Sequence, residues 1–178
     1  MADSIIKVTT FSIAAIPQTL SLCYLLTGME RGQIIQELIK AYAAELETVQ
    51  NYIAASVNLD GVRSDVIKKS LAADVTAELM HAQQLAHRVK TIGGTVPGSL
   101  NLIREQSYLQ PPPDTTDVVS VIKGVIQAEE AAIAQYKKII EICDGKDYPT
   151  QDLAIELLSD EEEHRREFIG FLKEYEKK

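Results

Sequence analysis

Apolar residues recur every three or four positions along four stretches of the chain, which is the spacing of amphipathic helices. No stretch shows the strict alternation of a half-buried strand. Turn-forming glycine, proline, asparagine and aspartate residues separate the four stretches. The predicted helices cover residues 33–57, 64–92 and 117–142, with a fourth that begins at Thr150 as its N-cap. The pattern therefore predicts an all-α protein built around one core.

A long connection, residues 95–116, lies between the second and third predicted helices. It contains Pro97-Gly98 and three consecutive prolines at 111–113, with room for a short helix from Ser99 to about Gln106. A connection of this length allows the third helix to start far from the end of the second. We predict a four-helix bundle of residues 33–178 with one long crossover between helices 2 and 3. Residues 1–32 are then an N-terminal extension.

The apolar segment of residues 11–26 has some features of a signal peptide, but Asp3 precedes it and polar residues with Pro17 interrupt it. It is also too short and too broken to span a membrane. We expect it to pack on the bundle or on a neighbouring subunit. Cys23 and Cys143 form neither a metal-binding spacing nor a disulfide framework. These features favour a reducing, cytoplasmic location and no functional disulfide.

Each predicted stripe carries one glutamate where an apolar residue is expected. In the second and fourth helices a histidine follows that glutamate three positions later, which places both side chains on one face. In the first and third helices a tyrosine follows it two turns later. The chain therefore repeats one arrangement, a glutamate, then a tyrosine, then Glu-x-x-His on the next helix. The residues concerned are Glu45, Tyr52, Glu78 and His81 in the first half, and Glu129, Tyr136, Glu161 and His164 in the second.

Four buried carboxylates would each cost several kcal/mol without a partner. The basic residues lie mostly off the apolar stripes, so a dinuclear cation is the simplest partner. Carboxylate oxygens combined with imidazole nitrogens suit iron or manganese better than a closed structural zinc site. Any one of these residues alone has an ordinary explanation, because Glu-x-x-His occurs in many helices. We interpret four neighbouring glutamates as surface groups or as support for the ligands, namely Glu47, Glu130, Glu162 and Glu163. We interpret His87 as a solvated or hydrogen-bonded side chain.

With this pattern the chain resembles the ferritin-like superfamily of di-iron carboxylate proteins. More specifically, it is similar to bacterioferritins and to related mini-ferritins, including the Dps-like group with a bacterioferritin-type site inside each subunit. The resemblance implies that Glu45 and Glu129 are the single-helix ligands, with Glu129 preferred over Glu130 by its spacing. It further implies that Glu78 and Glu161 are bridging carboxylates and that His81 and His164 are terminal nitrogen ligands. A tyrosine beside the ligands is also implied, and it corresponds to Tyr52, with Tyr136 as its internal repeat.

Three departures from the family pattern matter. Bacterioferritins place the haem-ligating methionine directly after the glutamate of the second helix, but Leu79 occupies that position here. Met80 is about 100° further round the helix, so no haem is expected. The paired cysteines of thioferritin-type relatives are also missing. Finally, 14 residues follow His164, which leaves no room for the fifth helix of 24-subunit ferritins and favours a 12-subunit shell.

The resemblance implies an iron-binding ferroxidase that holds two iron ions per subunit, with manganese or zinc as possible occupants. Fe(II) and dioxygen or hydrogen peroxide would be its substrates, and the iron would be stored or detoxified in a homo-oligomeric shell. One alternative is a di-metal peroxidase or manganese-catalase-like enzyme without iron storage. Another is an acidic helical interaction module with a vestigial site. The net charge of −8 argues against nucleic acid or an anionic membrane as the main partner.

Overall fold

The computed structural model describes the backbone of residues 18–177 and the side chains of residues 28–177, and this part of the chain contains four long helices and no strand. The predicted all-α bundle with a long crossover between the second and third helices is therefore confirmed. Within the same residues, none of the helices combines the length and apolar character that a membrane crossing requires. The helices are α1 (Gln18–Asn58), α2 (Asp65–Thr91), α3 (Val118–Cys143) and α4 (Tyr148–Tyr175).

Helix α1 starts well before the position that the apolar pattern indicates. It runs without interruption through Gly28 and Gly32, so the helix start predicted at residue 33 is wrong. Glycine inside a helix costs roughly 1 kcal/mol relative to alanine, a penalty that a long helix absorbs. Among the described side chains, which start at residue 28, the first buried one is Ile34. The division into an extension and a bundle stays a prediction, and the expected packing of residues 11–26 lies outside the described side chains.

Two apolar clusters occupy the two ends of the bundle. One includes Tyr52, Leu71 and Phe168, and the other includes Leu38 and Leu157. Along every helix the mid-stripe glutamate lies between a residue of one cluster and a residue of the other. The core is thus divided by a polar layer. This polar layer consists of Glu45, Glu78, His81, Glu129, Glu161 and His164.

The start of α4 is capped by Asp147, so the prediction of Thr150 as N-cap is wrong. The Asp147 carboxylate accepts hydrogen bonds from the backbone N–H of Thr150, at 3.2 Å, and from its hydroxyl, at 2.6 Å. Pro149 lies in the first turn, where its missing N–H costs nothing. Arg88 of α2 donates to the same carboxylate at 2.5 Å. The cap therefore ties α4 to α2 as well as starting the helix.

The crossover contains only two short 3₁₀ turns, Ser99–Asn101 and Ser107–Leu109, so the short helix predicted from Ser99 to Gln106 is wrong. Polar contacts hold this segment against α1 instead. The carboxylate of Glu47 accepts the backbone N–H groups of Glu105, at 2.8 Å, and of Gln106, at 3.1 Å. Glu47 is accordingly buried and acts in fastening the crossover, not as a surface charge.

The Gln106 side chain is the centre of this attachment. Its amide N–H₂ donates to the carbonyl oxygen of Ala44 at 3.2 Å and to the Thr48 hydroxyl at 2.7 Å. Its amide oxygen accepts from Asn51 at 3.1 Å. Because Gln106, Thr48 and Asn51 are all buried, losing the Gln106 side chain removes one hydrogen-bond partner from each of the other two.

We expect Gln106→Ala to lower the free energy of unfolding by about 1–3 kcal/mol, because buried groups on α1 lose their hydrogen-bond partners. Chemical denaturation of the purified protein measures this. Gln127→Ala is the matched control, since Gln127 is exposed on α3. Equal effects of the two substitutions would show that the crossover is not held in this way.

Candidate metal centre

The structure brings all six predicted ligand residues together in the polar layer. Their ligand atoms form two overlapping groups, and within each group the atoms lie within 4.8 Å of one another. The first group combines Glu45 and His81 with two shared carboxylates, and the second combines Glu129 and His164 with the same two. The shared carboxylates belong to Glu78 and Glu161. This arrangement offers two neighbouring cation positions with two carboxylates between them.

Helical spacing aims both histidines at the shared carboxylates. His81 lies one turn after Glu78 on α2, and its Nδ1 is 3.2 Å from a Glu78 oxygen and 3.1 Å from a Glu161 oxygen. His164 lies one turn after Glu161 on α4, and its Nδ1 is 3.3 Å from Glu78 and 3.4 Å from Glu161. The same ring nitrogen therefore points inward from both helices.

Several atoms of the polar layer make no hydrogen bond of ordinary geometry among the described residues, and their nearest polar neighbours are one another, at 3.1–3.4 Å. They are both carboxylate oxygens of Glu78, both of Glu161, and Nδ1 of each histidine. Enclosed carboxylate oxygens normally have partners, because leaving one unpaired is costly. These atoms converge from α2 and α4, and their hard oxygen and imidazole donors fit divalent iron or manganese. The residues present therefore fit the predicted pair of cations.

The two tyrosines contact the carboxylates crosswise between α1 and α3. The Tyr52 hydroxyl of α1 donates to Glu129 of α3, and the Tyr136 hydroxyl of α3 donates to Glu45 of α1. Burial, assisted by the adjacent glutamate, raises the pKa of each tyrosine well above its usual range, so both remain neutral donors. Sequence reasoning found these tyrosines but not their partners, because each lies two turns from the glutamate of its own helix.

Glu45 and Glu129 favour the protonated form. Burial raises the pKa of Glu45 well above its usual range, and the charges of Glu161 and Glu78 act in the same direction. Burial and the charge of Glu161 raise the pKa of Glu129 in the same way. Hydrogen bonds from the tyrosines oppose this shift without outweighing it. A proton therefore binds more readily to either of these carboxyl groups than to an exposed glutamate, and a cation would compete with it.

Glu78 and Glu161 favour the ionised form. Burial opposes ionisation, but contacts with His164 and His81 outweigh it, so the pKa of Glu78 is lowered and that of Glu161 falls to about 2. Burial likewise opposes the charged imidazoles, but the two carboxylates raise the pKa of His81 to about 10 and that of His164 to about 11. Two carboxylates and two imidazolium ions thus balance each other before any cation binds.

Two aspartates beside the polar layer were not found from the sequence. Asp160 of α4 lies 3.4 Å from Nε2 of His81, where it can orient the ring that faces the shared carboxylates. Asp74 lies one turn before Glu78, and burial raises its pKa to about 6. One of its oxygens is enclosed without a hydrogen-bond partner among the described residues. Neither position stands out in the sequence, because Asp160 belongs to an acidic run and Asp74 is an isolated charge on a helix.

The remaining polar residues lie where they were expected, apart from Glu47. His87 is exposed, as predicted. The acidic neighbours of the proposed ligands are exposed as well, and these are Glu130, Glu162 and Glu163. The register that selects Glu129 and Glu161 for the polar layer therefore agrees with the burial of the four helices.

The profile of the ferritin-like domain matches residues 35–177, which is most of the chain. The chain belongs to the ferritin-like family. A protein of Pyrococcus furiosus named "DNA protection during starvation protein" is 28% identical to it over 151 residues, which cover 82% of this chain and 80% of that protein.

Solved structures with the same fold include members of two groups that the sequence resembles. The bacterioferritin-related protein of Bacteroides fragilis, described as a dodecameric thioferritin, has a TM-score of 0.72 at 23% identity and covers 82% of this chain and 87% of its own. The DPS protein of Vibrio cholerae has a TM-score of 0.72 at 16% identity, and the match covers 81% of this chain and 91% of that protein. A ferritin-like, diiron-carboxylate protein from Bacillus anthracis has a TM-score of 0.68 at 23% identity, and the match covers 80% of this chain and 97% of that protein. The resemblance to this ferritin-like, bacterioferritin-related and Dps-like group is confirmed.

Proposed function

We propose that this protein oxidises Fe(II) at two cation positions inside each subunit and retains the iron in an oligomeric shell. The observation that carries the proposal is the pair of ligand groups that share Glu78 and Glu161. Two shared carboxylates suit cations about 3.5–4 Å apart, the separation of two-metal sites. In this reading Glu45 and His81 hold one ion, and Glu129 and His164 hold the other.

Iron is the substrate in this proposal, and the protein positions it. Two Fe(II) ions supply two electrons, which with two protons reduce one dioxygen to hydrogen peroxide, or one hydrogen peroxide to two waters. The six residues hold the two ions side by side so that both electrons reach one oxidant molecule. The tyrosine hydroxyls keep Glu45 and Glu129 in place, and the apolar clusters on both sides exclude water.

Charge balance is compatible with two divalent cations in the polar layer. Burial raises the pKa values of Glu45 and Glu129, and the two central carboxylates raise those of His81 and His164. Four protonated groups then offset the binding of two divalent cations, because each cation that displaces two protons leaves the buried net charge unchanged.

A direct test is to add Fe(II) to the metal-depleted protein without oxygen, then admit dioxygen or hydrogen peroxide. We expect oxidation faster than in protein-free buffer, and many iron ions retained per subunit after desalting. Retention of about two ions per subunit, with rapid peroxide turnover, would favour the di-metal peroxidase or catalase-like alternative. Absence of tight metal binding would favour the interaction module with a vestigial site.

We predict that the chain assembles into a 12-subunit shell. The Bacteroides fragilis relative is described as dodecameric. Large apolar side chains are exposed on this subunit, including Met29, Val57, Val62 and Ile155, and contacts between subunits would cover such residues. Light scattering or native mass spectrometry measures the assembly. A stable monomer or dimer would contradict the shell, and a 24-subunit particle would contradict its size.

The name of the Pyrococcus furiosus relative suggests a role in protecting DNA. A net charge of −8 disfavours direct contact with the phosphate backbone. If this chain protects DNA, we propose that it does so by removing Fe(II) together with the oxidant, not by coating the duplex.

A further inference from the structure

A crevice of about 360 Å³ lies between α1 and α3, beneath the first part of the crossover. It is lined on α1 by Ala43 and Ala44 and on α3 by Ala131 and Ala132, among other residues. Glu45 and Tyr136 also line it. The crevice therefore reaches a carboxylate of the proposed metal centre from the side of the bundle opposite α2 and α4.

The crevice exists because the two halves of the repeat differ beside the site. Residues of α1 and α3 correspond at an offset of 84 positions, as Glu45 does with Glu129. On α1 the residues that follow are Glu47 and Thr48, which hold the crossover. Their counterparts on α3 are Ala131 and Ala132, which hold nothing and leave space.

Only one of the two cation positions faces this space. Glu129 and Tyr52 do not line the crevice. On their side the crossover packs directly on α3, where a Cβ atom at Gly124 would lie 2.7 Å from the carbonyl oxygen of Tyr108. The position held by Glu45 and His81 is thus the one that a small molecule in the crevice would meet first.

The buried part of the crevice wall suits a neutral apolar molecule better than a cation. Its exposed part carries the polar side chains of Gln36, Lys40, Asn101 and Glu105. Alanine methyl groups form much of the buried part, and the buried polar groups beside them already bond one another, as Glu47 and Gln106 do. A hydrated divalent ion would lose water there without gaining ligands until it reached Glu45. On the opposite side, Asp160 and Asp74 adjoin the polar layer, and their carboxylates suit a cation.

We propose that the α1–α3 crevice admits dioxygen to the cation position held by Glu45 and His81, while Fe(II) enters from another side. This inference rests on the proposed function. Hydrogen peroxide can bond to the exposed polar side chains of the crevice, but it gains little further in, because the buried polar groups Glu47, Thr48 and Gln106 are already engaged.

The test fills the crevice with Ala132→Leu and uses Ala134→Leu as the matched control, since Ala134 is exposed on the same helix and does not line the space. We expect Ala132→Leu to slow oxidation by dioxygen at least about tenfold. Binding of two Zn(II) ions per subunit should stay unchanged, and oxidation by hydrogen peroxide should slow much less. Weaker or slower Zn(II) binding, or equal slowing with both oxidants, would overturn the proposal, as would an unchanged rate with dioxygen.

A second measurement does not depend on iron chemistry. In the Zn(II)-loaded protein, dissolved dioxygen should broaden the methyl resonances of Ala43 and Ala128, which are buried and line the crevice, and Ala132→Leu should remove that broadening. The methyl group of Ala55, buried outside the crevice, is the reference. Absence of broadening at Ala43 and Ala128 would refute entry of dioxygen even if the protein oxidises Fe(II). Broadening without oxidation would instead refute the proposed function alone.

Discussion

Glu129→Gln is expected to slow Fe(II) oxidation at least about 100-fold, more than is usual for residues that only support a metal ligand. Glutamine keeps the volume of the side chain and an oxygen that accepts from Tyr52, whose partner is Glu129. The substitution removes one negative charge and one anionic ligand from the second cation position. Oxidation by a two-electron acceptor needs both ions, so weak binding of one ion affects the whole reaction. Stopped-flow absorbance after mixing with dioxygen measures the rate.

Glu130→Gln is the control for that experiment, because Glu130 is the next residue along α3 and is exposed. We expect less than about a twofold effect, as for most surface substitutions. The pair Glu161→Gln and Glu162→Gln repeats the comparison on α4, where Glu161 is fully buried and Glu162 is exposed. A large effect at Glu130 or Glu162 would mean that the ligand register is displaced by one residue. No effect at any of the four would exclude the dinuclear site.

Two Zn(II) ions are expected to raise the melting temperature of the metal-depleted protein by roughly 10 °C or more. Each ion at about 1,000 times its dissociation constant adds about 4 kcal/mol to the stability of the folded state, and each kcal/mol shifts a domain of this size by about 2–4 °C. Binding should release about four protons, one each from Glu45, Glu129, His81 and His164. Calorimetry in buffers of different ionisation enthalpy counts them.

The stability of the metal-depleted protein and the stability gained from Zn(II) binding should change with pH in opposite directions. The pKa values of His81 and His164, about 10 and about 11, lie above the unfolded value of about 6.5. Their stabilising effect is therefore complete below about pH 6.5 and is lost as pH rises toward 10–11. Glu45 and Glu129 act in the same direction, because folding raises their pKa values too, and their effect is lost as pH rises above the ordinary glutamate value of 4.5. The metal-depleted protein should lose stability from pH 6.5 upward, whereas the gain from Zn(II) should increase.

Substitution of the exposed histidine separates the pH dependence of the polar layer from the titration of a histidine outside it. His87→Gln should leave the pH profile and the proton count unchanged, because His87 is exposed on α2. His164→Gln should reduce the number of protons released. Release of close to zero protons by the unsubstituted protein would contradict the protonation states assigned to the polar layer.

The repeated helical pattern was enough to predict the bundle, its long crossover and the six residues of the polar layer. Periodicity reports which face of a helix is buried, and a charged residue on that face is conspicuous, as Glu129 is. Contacts between helices depend on rotation and offset, which periodicity does not contain. The crosswise pairing of Tyr52 and Tyr136 and the position of Asp160 beside His81 were therefore beyond its reach.

The wrong predictions for the start of α1 and for the crossover also have physical causes. The apolar pattern places the start of the first helix at residue 33, yet α1 begins at Gln18 and continues through Gly28 and Gly32. The crossover was expected to be partly helical, but the hydrogen bonds of Glu47 and Gln106 fix its backbone to α1. Such polar attachments depend on a distant part of the chain, so no local window of sequence predicts them.

The crosswise tyrosine contacts have a consequence for how the two halves of the chain depend on each other. Each helical hairpin carries three of the six proposed ligands but only one end of each tyrosine–glutamate contact, since Tyr52 reaches Glu129 and Tyr136 reaches Glu45. Each hairpin therefore receives from the other the tyrosine hydroxyl that contacts its carboxylate. The two hairpins thus depend on each other through these contacts. A substitution of the tyrosine in one hairpin would disturb the proposed ligand in the other, so the two halves of the chain are constrained to evolve together.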